Sequence, residues 1–111
     1  MRGTDSTTLF LQARLEFKAA EAFADEARYA LDLYENMMQR RDDTYLEALH
    51  LGVPMVVATE VARETTRKAE EELEKGYVST AASKKHRARG EALMVKRDKQ
   101  FRRELNVRFS G

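Results

Sequence analysis

Nine residues in the first half of the chain, Phe10, Ala13, Phe17, Ala20, Ala24, Ala27, Leu31, Tyr34 and Met38, follow one another in steps that alternate between three and four. Only a helix that keeps one stripe against another helix repeats in that way. The stripe is rich in alanine, which lets two helix backbones approach closely. It therefore constrains the architecture strongly and the chemistry hardly at all. The rest of the composition agrees: 35% of residues are charged, there is one Pro, and there are five Gly in 111 residues. That mixture reads as all-α, because helix formers dominate and strand-forming alternation is nearly absent. Leu105, Val107 and Phe109 alternate with polar residues, but the run is too short for a sheet of its own.

Residues 1–111 are expected to form a single helical domain. Asp5, Ser6, Thr7 and Thr8 offer N-caps, so the first helix is expected to begin near residue 6. The Arg41-Asp42-Asp43 run, followed by the capping-box spacing of Thr44 and Glu47, favours a break. Helices are accordingly expected over about 6–41 and 44–51. Gly52-Val53-Pro54 is the clearest punctuation, since Gly closes a helix in the left-handed conformation and Pro suits the first turn of the next. A further helix is expected over 54–75, with Met55, Ala58, Ala62, Thr65, Ala69 and Leu73 as its stripe. Gly76 would stop it, Ser79 would cap a last helix over 79–105, and Gly90 would kink that helix where its apolar face changes side. Two architectures fit: a long antiparallel helical hairpin, or a small three-to-four-helix bundle, both with coiled-coil-like packing.

Charge is unevenly placed. Residues 1–83 hold 10 Lys and Arg against 16 Asp and Glu, whereas residues 84–111 hold 10 against 3. The basic residues Lys85, Arg89, Lys96, Lys99 and Arg103 fall on one arc of a helix, flanked by Lys84, Arg87, Arg97 and Arg102. Such a stripe tracks a phosphate backbone or an acidic protein, or is matched within the fold by Asp5, Glu16, Glu21 and Asp25 of the first helix. Whether it faces solvent or those acids separates the readings. Residues 91–111 form a candidate basic docking segment, in which Met94, Phe101 and Leu105 share a side. On the first helix Leu9, Phe23, Ala30 and Met37 flank the main stripe and are candidate partner-facing residues.

Catalytic signals are missing. There is no Cys, hence no thiolate nucleophile and no disulfide. No nucleophile elbow and no Gly-rich phosphate loop is present, so no small-molecule substrate or cofactor is expected. Glu47 and His50, three apart, have the spacing that ferritin-like helical metal proteins use, but the motif occurs once where a full site needs it twice. No stretch approaches the roughly 20 apolar residues of a membrane span, and a basic-then-apolar leader pattern is absent. Cytoplasmic placement is the expectation. The reading that follows is a non-enzymatic helical protein–protein interaction module, an adaptor, assembly factor or chaperone-like subunit that also self-associates. The alternative is a nucleic-acid-binding accessory protein using the basic C-terminal helix, and a metal-binding helical protein comes third.

Overall fold

The computed structural model describes residues 5–109. Its described residues form two α-helices, α1 (Ser6–His50) and α2 (Met55–Phe109), joined by a short turn. The fold is an all-α antiparallel hairpin, and the three-to-four-helix bundle is not formed. None of its helices is long and apolar enough to cross a membrane.

Three features account for the two helices. At the start of α1 the Thr8 N–H donates to Asp5 Oδ1 at 2.7 Å, while the Leu9 N–H donates to the Asp5 carbonyl at 3.1 Å. Asp5 is therefore the N-cap. At the end of α1 the Val53 N–H donates to the Ala48 carbonyl at 2.9 Å and the Gly52 N–H to the Leu49 carbonyl at 3.1 Å. That pair of bonds is a Schellman motif, and Gly52 supplies the left-handed residue with φ 87°. Pro54 follows, and α2 begins.

The expected breaks within each half do not occur. Arg41 does not interrupt α1, because its side chain is satisfied where it lies. Its Nη1 donates to Thr66 Oγ1 at 2.9 Å, and the guanidinium also holds Asp42. Gly76 does not stop α2 and Ser79 caps nothing. Gly76 is buried in the middle of the helix, where a Cβ would stand 3.3 Å from Leu31 Cδ2. Gly90 is likewise a place of close approach, facing the Phe17 ring. The helix also continues past residue 105, the expected end of the last helix, to Phe109.

The chain divides into two compact units, each built from a piece of both helices. The terminal unit comprises Met1–Ala24 with Ala81–Gly111, and the turn unit is Asp25–Thr80. Inside both, the helices meet along a seven-residue repeat. In the terminal unit the seam takes Ser6, Leu9, Ala13, Glu16 and Ala20 from α1, and Ser83, His86, Gly90, Leu93, Arg97 and Glu104 from α2. In the turn unit it takes Ala27, Ala30, Tyr34 and Arg41 against Ala58, Ala62, Ala69 and Gly76. The buried apolar residues are Leu9 and six alanines. Phe10 and Phe17, expected in the seam, stand at its edge with 39% and 36% exposure. The inner stripe therefore lies one residue off the expected one at every second step, taking Glu16 and Ala30 in place of Phe17 and Leu31.

Candidate functional site

The terminal unit carries the chemistry-bearing groups that face outward. Its seam is held by polar clasps. The Ser6 N–H and hydroxyl donate to the two carboxylate oxygens of Glu104, at 3.0 and 2.5 Å. The Ser83 hydroxyl, buried, donates to the Ala20 carbonyl at 2.7 Å. His86 Nδ1 lies 2.5 Å from Glu16 Oε2, and its ring stacks on Phe23 with centroids 5.4 Å apart. These contacts occupy the acids and the imidazole with the fold itself. Glu104 is drawn below the ordinary carboxylate range by the Ser6 hydroxyl and then the Ser6 N–H.

The basic residues are treated otherwise. Lys84, Lys85, Arg87, Arg89, Lys96, Lys99, Arg102 and Arg103 are all exposed. Among the described residues, none of the eight makes an ion pair. The matching by Asp5, Glu16, Glu21 and Asp25 that the hairpin register allows does not take place. Asp5 caps α1, Glu16 serves His86, Asp25 pairs with Arg28 on its own helix, and Glu21 faces solvent. The physical reason lies in the seven-residue repeat. A two-helix seam buries only two positions in seven, and these cations sit at the other five.

Lys85, Arg89, Lys96, Lys99 and Arg103 line one flank of α2. Their steps, with Ala92 filling the gap, are again three and four, so they run nearly parallel to the helix axis for about 27 Å at 1.5 Å per residue. No acid stands within the stripe, since Glu91 and Asp98 project from another side of α2. Beside it α1 and α2 form a shallow groove of about 390 Å³, lined by Leu9, Gln12, Leu93 and Gln100 together with Lys96, Lys99 and Arg103. Cations thus form one edge of a groove whose floor is apolar and whose neutral polar groups are two side-chain amides.

Phe10, Phe17 and Phe101 lie on the opposite flank of the seam, whereas Phe23 stacks on His86. The Arg97 guanidinium is 5.6 Å from the ring centroids of both Phe10 and Phe101, and Met94 is half-buried close by. Arg97 thus does not flank the basic stripe as the sequence suggests: it is half-buried on the seam and pairs with Asp98. Arg97 has the step of seven from Gly90, which is the signal that could have placed it on the seam.

The remaining candidates separate clearly. Leu9 and Ala30 are buried between the helices, and Phe23 and Met37 are half-buried there. These four serve the hairpin's own packing and leave little surface for a partner. Phe101 is exposed and Leu105 half-buried. Glu47 and His50 are exposed near the end of α1, and no group of three or more metal-ligating side chains gathers among the described residues.

The turn unit holds an apolar groove of about 290 Å³ between Thr44, Ala48, Val57 and Val61, with Arg40 and Arg41 at its rim. It contains no titratable group whose placement suggests proton transfer. Compared with protein-family models, curated proteins and solved structures, the chain matches none.

Proposed function

We propose that the chain is a non-enzymatic helical binding module whose terminal unit grips the phosphate backbone of a nucleic acid. The observation that carries this reading is the stripe of Lys85, Arg89, Lys96, Lys99 and Arg103, five solvent-facing cations that make no ion pair among the described residues. A phosphate backbone suits the stripe because it too is a line of regularly spaced charge. A 27 Å stripe runs beside about eight phosphates of one B-form strand at 3.4 Å each. The groove offers no aromatic ring to a base, since Phe10 and Phe101 stand on the other flank. The binding is therefore sequence-independent and falls on duplex and single strand alike.

Fluorescence anisotropy with labelled duplex DNA and single-stranded RNA across a salt series tests the proposal. Five engaged cations give a slope of log K against log salt of about −3.5 for a single strand and about −4.5 for a duplex. A double reversal, Lys96→Glu with Lys99→Glu, should abolish binding while the helical circular dichroism is unchanged. Absence of binding even at low salt would sink the idea.

A second reading keeps the helix–helix interaction module first expected from the sequence. It is favoured by the exposed apolar side chains of both units, among them Phe101 at 45%, Tyr77 at 60% and Leu15 at 68%. Isolated exposed apolar residues are ordinary, but aromatic ones gathered on one flank mark a contact surface.

A further inference from the structure

The groove of the turn unit is apolar and uncovered. Thr44, Ala48, Val53, Val57, Val61 and Thr65 line it. The seam beneath is largely alanine, so the apolar surface lies on the flank, where Val57 and Val61 remain 51% and 52% exposed. Its volume of about 290 Å³ has room for about ten waters at ~30 Å³ each, and the lining offers them few hydrogen bonds. Displacing them with apolar side chains is favourable.

Charge narrows what those side chains belong to. The turn unit holds 7 Lys and Arg against 13 Asp and Glu, a deficit of −6, whereas the terminal unit holds 13 against 6, a surplus of +7. The turn unit's deficit lies wholly away from the groove. Residues 40–68 hold five charges of each sign, and no Asp, Glu, Lys or Arg occurs between Glu47 and Glu60. A strongly charged partner has nothing to hold there, while a second copy of the same segment meets no net repulsion. Beside the groove this flank bears Arg40, Asp43 and Glu47 on α1, and Glu64 and Lys68 on α2, all exposed. Glu64 is taken by Arg67 of its own helix. Arg40 and Glu47 make no ion pair among the described residues. They occupy the same position of the seven-residue repeat, one repeat apart, with Thr44 between them. An edge that reads cation and then anion is complementary to itself turned end for end.

We infer that the turn unit pairs with the turn unit of a second copy, groove against groove, about a two-fold axis passing beside Thr44. Turning one copy end for end sets its α1 antiparallel to the α1 of the other. Arg40 of each copy then meets Glu47 of the other, because a two-fold contact is made once in each direction. Val61, across the groove from Thr44, packs on its own counterpart, and four helices enclose an apolar core that neither hairpin has alone. Lys68 reaches the second copy's Val57 with its apolar stem. Asp43 is the one like charge brought near its counterpart, and it sits at the outer edge where solvent screens it. The inference rests on the helix–helix reading, for which it names the partner, and uses no residue of the basic stripe.

Sedimentation equilibrium on the full chain, without nucleic acid, tests the inference. Wild type should reach twice the chain mass of 12.8 kDa as concentration rises. Arg40→Glu and Glu47→Arg should each weaken the pair about tenfold or more, since like charges then meet at both contacts. The double variant Arg40→Glu/Glu47→Arg should regain the wild-type constant, and an equimolar mixture of the two single variants should form a mixed dimer. Misfolding of a single variant would give neither result. Val61→Lys should hold the chain at the monomer mass, with helical circular dichroism unchanged because Val61 is already exposed. Wild type that stays monomeric at every concentration overturns the inference and leaves the groove to a different protein. A dimer that Val61→Lys does not weaken, or a double variant no better than the single ones, overturns it as well. The nucleic-acid titrations turn on Lys96 and Lys99, outside the pair, so either reading can fail alone.

Discussion

At Gly90 a Cβ would fall 2.7 Å from Cε1 of Phe17, and at Gly76 one would fall 3.3 Å from Cδ2 of Leu31. At Gly52 there is open space, but the backbone φ is 87°. Three Gly→Ala substitutions should therefore have three outcomes, although Ala is favoured over Gly in a helix interior by about 1 kcal/mol. Gly76→Ala should raise stability by up to about 1 kcal/mol, since half-exposed Leu31 needs to give only a few tenths of an ångström. Gly90→Ala should lower it by about 1 kcal/mol, because driving the rigid Phe17 ring outward loses more burial than the helix gains. Gly52→Ala should cost about 1–2 kcal/mol through left-handed backbone strain alone. Thermal melts of the three variants check the series, and a common sign across all three would refute the assignment of distinct causes.

The ends of the helices are tied by side chains rather than by sequence-local signals alone. Asp5 is held below its ordinary value of 3.8 chiefly by the Thr8 N–H, and Glu104 below 4.5 chiefly by the Ser6 hydroxyl. A carboxylate with a depressed folded pKa stabilises the fold above its unfolded value, and that contribution is lost as pH falls through the folded one. Acidification from about pH 6 to about pH 3 should thus loosen the start of α1 and the end of α2 first. Amide exchange at Ser6–Phe10 and Gln100–Phe109 reads the effect, and Glu104→Gln should flatten its Ser6-dependent part. Asp5 as a cap and Gly52-Val53-Pro54 as the turn were legible in the sequence, because each acts on its own neighbours. The continuity of α2 was not. Of its seam residues Gly76, Ser83, His86, Gly90, Leu93, Arg97 and Glu104, only Leu93 is a large apolar residue. A search for apolar periodicity loses the helix there, and Gly76 then reads as a stop. For the candidate interface the basic arc was visible at once. Its freedom from Glu16 depended on His86, seventy residues away, engaging that acid.

For the molecule as a whole, the uneven charge has a thermodynamic effect apart from any partner. A unit with a surplus of +7 repels itself, and so does one with −6. Raising salt from a few millimolar to about 0.15 M, where the Debye length is about 8 Å, should therefore increase amide protection in residues 84–103. The measurement belongs at protein concentrations low enough to keep the chain monomeric, and protection that falls with salt would show that attraction outweighs repulsion. The inner seam also bears on the chain's descent. What its buried positions share, Leu9 apart, is small volume, with Ala13, Ala20, Ala27, Ala58, Ala69, Gly76, Ser83 and Gly90 all near the lower limit of side-chain size. Drift among Gly, Ala and Ser is cheap at most of these positions, whereas a gain of two or three carbons forces the helices apart. The outer positions are under no such limit. A homologue should therefore be recognised by a seven-residue rhythm of smallness running through both helices, even where its apolar and charged residues have been wholly exchanged.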